Sequence, residues 1–151
     1  MRTIASLEEL KSLAGQEVAT SAWMTVTQEQ VDRFAEATGD HQWIHVDVQR
    51  AARELPYGGT VAHGFLTLAL LPRMLSESIG MGPDVRMLLN YGLNRVRFPA
   101  PLPVGRRVRG IIALQAVEEV AGGVQLTWLV TVECEGADKP VCVAEFLVRR
   151  Y

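Results

Sequence analysis

The second half of the chain contains four segments rich in Val, Leu, Ile and aromatic residues, at 86–98, 106–120, 123–136 and 140–150. That composition is typical of β-strands. Short turn sequences separate the segments, and Gly122-Gly123 is a strong hairpin signal between the second and the third. Consecutive strands joined by such short turns pair antiparallel. The pattern therefore predicts an antiparallel sheet, whose apolar face must be covered by another element.

Residues 61–80 supply that covering element. The run VAHGFLTLALLPRMLSESIG is apolar on nearly every side and lacks sustained alternation, which predicts a buried helix. Pro72 lies inside the run, where it should remove one helical hydrogen bond and kink the axis. Residues 17–26 form a further predicted strand. Together these features predict an α+β domain in which a curved antiparallel sheet wraps around one long buried central helix.

Two capping boxes mark helix starts in the first third of the chain. Ser6 followed by Glu9 opens a short helix, and Thr27 followed by Gln30 opens a longer one. Gly39 is a natural stop for the second helix, because glycine adopts the left-handed conformation of a helix C-terminus without strain. The residues after Gly39 are therefore expected to begin in a loop.

Length, charge and cysteine content limit the class of protein. The 151 residues fit a single domain over 1–151, and a net charge of −2 gives no indication of a nucleic-acid or anionic membrane partner. Cys134 and Cys142 make neither a disulfide framework nor a zinc ribbon. The N-terminus lacks the apolar stretch of a signal peptide, and no apolar run reaches the roughly 18 residues of a membrane span. We therefore expect a cytoplasmic protein.

The nine residues GDHQWIHVD, at 39–47, concentrate ionisable groups: Asp40, His41, His45 and Asp47. One interpretation is a solvated loop after a helix, because most polar loop clusters carry no chemistry. A second is a metal site, since His41 and His45 have the four-residue spacing of HExxH zinc sites. However, Gln42 replaces the glutamate of that motif, and Gly39 indicates that the helix has already ended. We therefore expect no metal here.

A third interpretation is an acid–base pair formed by Asp40 and His45. A spacing of five residues would make the two side chains diverge by about 140° on a helix, or point to opposite faces of a strand. They can converge only if the chain turns between them. A carboxylate and an imidazole that meet on one water can activate it and pass its proton on. Histidine suits this role because its ordinary pKa lies near 6.5.

The second notable segment is AHGF, at 62–65, at the entry to the predicted central helix. The first turn of a helix has free backbone N–H groups, and glycine lets a ligand approach them closely. The Gly64 N–H could therefore bind an oxyanion that develops on a carbonyl. The alternative is that Gly64 only permits close packing. For His63, a hydrogen bond to a backbone group or to the loop is the simplest role.

Three separated segments resemble the MaoC-like (R)-specific enoyl-CoA hydratases, also called type 2 enoyl-CoA hydratases. The family signature is matched by Phe34, Thr38, Gly39, Asp40, Ile44, His45 and Ala51. AHG at 62–64 and the segment at 90–105 also look like family features, and the resemblance runs from about residue 10 to the C-terminus. The family commonly has Asn-Pro where this chain has Gln42-Trp43, which affects the expected loop shape and substrate range.

The resemblance implies a hot-dog fold, a homodimer joined edge to edge through its sheets, and an acyl-CoA substrate with no cofactor and no metal. By similarity, Asp40 and His45 activate a water that adds to a trans-2-enoyl thioester, giving an (R)-3-hydroxyacyl-CoA. The Gly64 N–H would bind the thioester oxygen. The expected substrate contacts are Gln42, His63, Phe65 and Asn90. The acyl chain would lie in an apolar slot shaped by Phe65, Leu66, Leu68 and Pro72.

Three alternatives remain open from the sequence. A hot-dog thioesterase would direct the water at the thioester carbonyl itself. A dehydratase acting on acyl carrier protein would have the same residues, because the reverse reaction uses the same site. A binding module without turnover would gain nothing from an acid–base pair.

Overall fold

The computed structural model describes residues 1–83 and 85–151, which form eight strands and six helices. The strands are β1 Arg2–Ile4, β2 Gln16–Thr20, β3 Met24–Thr25, β4 Ile79–Met81, β5 Leu88–Arg97, β6 Arg107–Val120, β7 Gly123–Cys134 and β8 Cys142–Arg150. The helices are α1 Leu7–Ser12, α2 Gln28–Thr38, α3 Trp43–Val46, α4 Val48–Glu54, α5 Gly64–Ala69 and α6 Leu71–Ser78.

The main sheet has six strands, and all of its pairs are antiparallel. Its order is β2-β6-β7-β8-β5, with β3 also paired to β6. The four strands predicted for the second half are confirmed. The single strand predicted at 17–26 is instead two short strands on β6, because the Gly110 N–H donates to the Ser21 hydroxyl oxygen at 2.9 Å rather than to a backbone carbonyl, which interrupts the ladder. A small parallel pair, β1 with β4, was not predicted.

The central helix is two consecutive segments, α5 and α6, rather than the one long helix predicted from Gly64 to residue 79. The break falls at Leu70, which ends α5 and precedes α6. Pro72 therefore lies in the first turn of α6, where its missing N–H costs no helical hydrogen bond. The prediction that this helix is buried on every side is also wrong for the single chain. Every fourth residue from Phe65 is exposed, giving a stripe of Phe65, Ala69, Arg73 and Glu77.

The opposite face of the two helices packs on the concave side of the sheet. Leu71 and Met74 are buried from the helices, and the fully buried strand residues include Ile112, Leu114, Leu126, Trp128, Val130 and Val132. Each such side chain contributes roughly 1.5–3 kcal/mol by leaving water. The arrangement confirms the predicted α+β hot-dog architecture. Among the described residues, no helix combines the length and apolar character needed to cross a membrane.

Gly110 in β6 allows α6 to lie close to the sheet. A Cβ at this position would be 3.0 Å from Met74 Sδ and 3.4 Å from Val130 Cγ1. We expect Gly110→Val to lower the free energy of unfolding by about 1–3 kcal/mol, because the added carbons overpack a well-filled layer. Urea denaturation measures this change. Gly59→Val is the matched control, since no atom lies within 4 Å of a Cβ there. Equal stability of the two variants would contradict the packing account.

Candidate active site

Asp40 follows the C-terminus of helix α2, which positions it. The N-terminus of α2 carries the predicted capping box, in which Thr27 and Gln30 bond each other's backbone N–H groups. Its C-terminus is Gly39, at a left-handed φ of 77°. Both predicted ends are confirmed. The left-handed residue turns the chain out of the helix, so Asp40 begins an exposed loop.

The one-turn helix α3, which was not predicted, brings His45 back towards Asp40. The chain turns between the two residues, as their convergence requires. One potential ligand atom from each of Asp40, His45 and His63 lies within 4.8 Å of the others. The structure therefore brings the proposed acid–base pair together and adds His63 to it.

His45 is fixed by the backbone of the segment that precedes α5. Its Nδ1 is 2.6 Å from the Val61 carbonyl oxygen, and the Val61 N–H donates to the Ile44 carbonyl at 3.0 Å. Because a carbonyl only accepts, Nδ1 must carry the proton, which leaves Nε2 as a free acceptor. Burial lowers the pKa of His45 below 6.5, as does the neighbouring His63, although the Val61 carbonyl and Asp40 act in the opposite direction. The lowered pKa favours the neutral form of His45.

His63 ties the Asp40 loop to the start of α5. It is 2% exposed, and its Nε2 donates to the Asp40 carbonyl at 3.0 Å. Its ring stacks on His45, with centroids 3.8 Å apart and planes at 27°, and Phe34 lies at 5.0 Å on another side. Among the described residues, its Nδ1 has no hydrogen-bond partner. This geometry gives His63 a positioning role, while the predicted substrate contact stays a prediction.

The three potential ligands do not form a well-shaped metal site. The lone pair of an imidazole nitrogen lies in the plane of its ring. Because the rings of His45 and His63 are stacked and nearly parallel, their lone pairs do not point towards one common position. One nitrogen of each ring is also bonded to a carbonyl. A tetrahedral ion would require one ring to leave its stack. The geometry thus favours acid–base chemistry over metal binding.

Gly64 is the first residue of α5, where the backbone N–H has no partner within the helix, and no side chain caps this end. The preceding segment is held by the Ala62 N–H, which donates to Leu102 at 2.8 Å. A Cβ on Gly64 would lie 3.0 Å from the Phe98 ring. A side chain here would therefore crowd the Phe98 ring, so that close packing is by itself a reason for glycine at this position.

The other predicted substrate contacts lie at different places. Gln42 is exposed beside Asp40, and Phe65 is 70% exposed with its ring 6.0 Å from Phe98. The structure does not bring Asn90 to Asp40 and His45 within one chain. Phe98 adjoins Gly64, and Asn90 lies eight residues earlier in the extended β5, roughly 25 Å away.

Asn90 instead borders a cavity of about 360 Å³ between α6 and the sheet. The start of α5 adjoins the end of β5, and α6 adjoins its beginning, so the two helices run antiparallel to the edge strand. The cavity walls include Pro72, Leu75, Ile79, Trp128, Phe146 and Val148. Of these, sequence reasoning proposed only Pro72, because the strand residues share a wall only once the sheet has curved.

The burial of His45 and its neighbours predict the direction in which its pKa is shifted. We expect NMR of the imidazole resonances to give His45 a pKa below 6.5, because burial disfavours its charged form. Asp40→Asn should lower that pKa further, since the carboxylate stabilises the imidazolium. Asp138→Asn, in an exposed turn, is the matched control and should leave it unchanged. A pKa that rises in Asp40→Asn would contradict the described pairing.

Comparison with known proteins shows the family to which the chain belongs. The family model described as MaoC like domain matches residues 9–134. The chain is similar to 3-hydroxyacyl-thioester dehydratase Z of Mycobacterium tuberculosis, with 55% identity over 150 residues that cover 99% of this chain and 98% of the relative.

Solved structures show the same fold at low identity. The (R)-hydratase of A. caviae involved in PHA biosynthesis has a TM-score of 0.66 and 21% identity, covering 89% of this chain and 94% of that one. The ChsH1-ChsH2 complex of Mycobacterium tuberculosis has a TM-score of 0.68 and 16% identity, covering 91% and 99%. With the family model spanning most of the sequence, the chain belongs to the MaoC-like dehydratase family.

Proposed function

We propose that the protein is an (R)-specific enoyl-CoA hydratase, which adds water reversibly to a trans-2-enoyl-CoA and forms an (R)-3-hydroxyacyl-CoA. Membership of the dehydratase family supports a hydro-lyase. The observation that carries the finer proposal is the convergence of the Asp40 carboxylate and a neutral His45 whose Nε2 is free to accept a proton.

In the proposed reaction, Asp40 and His45 hold one water. His45 Nε2 takes a proton from the water as its oxygen bonds to the β-carbon of the enoyl thioester. The pair then returns one proton to the α-carbon from the same side, so that the addition is syn and one water is consumed. A lowered pKa favours the neutral imidazole, which can act as the base without first losing a proton. No electrons are transferred, so no redox cofactor is required.

Attack at the β-carbon moves negative charge onto the thioester oxygen. The Gly64 N–H, which has no partner within α5, would donate to that oxygen as the enolate forms. Loss of one such donor costs roughly 3–4 kcal/mol in acyl-transfer enzymes. The absence of a side chain at Gly64, where a Cβ would lie 3.0 Å from the Phe98 ring, lets an acceptor approach this amide closely.

The acyl chain would extend from Gly64 along α5 towards the cavity beside α6. Gly64 and Pro72 are eight residues apart, which is about 12 Å along a helical path. A dehydratase acting on acyl carrier protein is the second candidate. The name of the Mycobacterium tuberculosis relative, 3-hydroxyacyl-thioester dehydratase Z, supports the dehydration direction and leaves the carrier open.

A homodimer is part of the proposal. Strand β5 is an edge of the sheet, and its apolar side chains Leu88, Leu89, Tyr91 and Leu93 are all more than 40% exposed. An unpaired apolar edge is an aggregation hazard unless another strand covers it. A second copy of the chain would cover it by antiparallel pairing of the two β5 strands, which also buries these side chains.

The proposed chemistry is tested by following the absorbance of the conjugated enoyl thioester of crotonyl-CoA. We expect wild type to hydrate it, and Asp40→Asn and His45→Gln to lose activity by about a hundredfold to ten-thousandfold, because each removes a proton-transfer group. His41→Gln is the matched control, since His41 is exposed and its closest charged partner is Glu36 at 3.7 Å. Chiral analysis of the product tests the R configuration.

Two outcomes would contradict the hydratase proposal. Release of free CoA in place of hydration would indicate a thioesterase. Inactivity of wild type on crotonyl-CoA, with turnover of the same acyl group on a carrier protein, would indicate the second candidate.

The dimer is tested by sedimentation. We expect wild type to sediment as a dimer and Leu89→Glu to shift towards monomer, because the new carboxylates would be buried at the β5 edge. Val48→Glu is the matched control, since Val48 is similarly exposed on α4. A monomeric wild type would rule the interface out.

A further inference from the structure

The side chain of Gln28, the first residue of α2, connects segments that meet at the candidate active site. Its Nε2 donates to the His45 carbonyl at 2.7 Å, and its Oε1 accepts from the Thr60 hydroxyl. Nε2 also donates to Asp32 Oδ1 at 2.8 Å. A carboxamide has two N–H hydrogens and one oxygen, and each of these groups is bonded here. Only one orientation of the amide satisfies all three partners.

Thr60 anchors this amide to the segment that enters α5. It is 4% exposed, so its hydroxyl is largely removed from water and finds its acceptor in Gln28. Its own carbonyl is held by the Val104 N–H, which donates to it at 2.9 Å. Thr60 directly precedes Val61, whose carbonyl holds the His45 ring. Gln28 and the imidazole are therefore bonded to two neighbouring residues of one fixed segment.

These contacts close a ring through His45. From the imidazole, the ring runs to the Val61 carbonyl, along the chain to Thr60, across to the Gln28 amide and back to the carbonyl of His45 itself. The peptide group before His45 is held separately, because the Val61 N–H donates to the Ile44 carbonyl at 3.0 Å. The peptide group after His45 is the one that Gln28 holds. The backbone on both sides of the imidazole is thus fixed against the same segment.

We propose that Gln28 is a positioning residue for the proposed hydration. It acts through the backbone of His45 and keeps Nδ1 within reach of the Val61 carbonyl, so that Nε2 stays free to accept a proton. Gln28 does not transfer the proton itself, because a carboxamide does not titrate near neutral pH. The inference rests on the proposed acid–base role of His45 and adds the group that orients this base.

The kinetic test uses Gln28→Leu, which loses the amide, and Thr60→Val, which loses the hydroxyl at similar size. We expect each variant to lower kcat for crotonyl-CoA about tenfold with KM nearly unchanged, since one hydrogen bond that orients the base is lost. Thr60→Ser should restore kcat, because it keeps the hydroxyl. The double variant should lose little more than either single variant, since both act through the same ring.

Two residues in the first turns of α2 give matched controls. Gln30→Ala removes the capping-box bond to the Thr27 N–H, and so weakens the start of α2 without removing a bond to His45. Asp32→Ala removes only the exposed bond that Gln28 makes along the helix. We expect both controls to keep kcat close to that of wild type.

A second measurement observes His45 without substrate. NMR shifts of the two imidazole nitrogens distinguish a protonated nitrogen from an unprotonated one, and His45→Gln identifies the signals. In neutral His45 of wild type, we expect a protonated Nδ1 and an unprotonated Nε2. In Gln28→Leu the two shifts should move towards each other, because a loosened ring exchanges between its tautomers. Gln30→Ala should leave them as in wild type. Thr60→Val provides the same test if Gln28→Leu does not fold.

Unchanged nitrogen shifts in the folded variant would overturn the inference. An equal loss of kcat in Gln30→Ala would also overturn it, because Gln28 would then act only on the stability of α2. The two proposals can fail separately. Wild type that does not hydrate crotonyl-CoA, with shifts that still move in Gln28→Leu, removes the hydratase and keeps the positioning of His45. Hydration that Gln28→Leu leaves unchanged removes only the role of Gln28.

Discussion

The hydrogen bond between His45 and the Val61 carbonyl is the interaction on which the site depends. It joins α3 to the segment that enters α5, and it selects the His45 tautomer in which Nε2 is the free acceptor. His63 makes a second bond of the same kind, in the opposite direction along the chain, to the Asp40 carbonyl. Backbone carbonyls thus hold both imidazoles. Such fixed positioning is what acid–base catalysis requires.

The sheet determines where these two segments meet. Ala62 bonds Leu102, and the neighbouring Val61 forms an isolated bridge with Pro103, so the strand connection after β5 fixes the entry to α5. The Phe98 ring then lies against Gly64 at the start of α5. The proposed catalytic groups come from loops and helix ends, and the segment entering α5 is held by its bonds to the connection after β5. The sheet therefore fixes the positions of groups that themselves lie in loops and at helix ends.

Local signals in the sequence predicted much of this structure. The capping box at Thr27, the stop at Gly39 and the four later strands each depend on neighbouring residues alone, and each is confirmed. The meeting of Asp40 and His45 was predicted only on the condition of a turn, because α3 is too short to show a periodic pattern. The contacts of His63 and the distance of Asn90 from the site could not be predicted, since they depend on how distant segments pack.

The break between α5 and α6 divides one stretch of chain into two parts. The first part, α5, begins with the Gly64 amide, and the second, α6, lines the cavity. Since the helical hydrogen-bond pattern is interrupted at Leu70, a shift in α6 need not be transmitted to Gly64. Mutations around Pro72 and Leu75 can therefore change the shape of the cavity beside α6 while the Gly64 amide keeps its position. The cavity beside α6 and the start of α5 can thus change independently of each other. Related proteins can then differ in the substrate they accept while the residues around Gly64 stay the same.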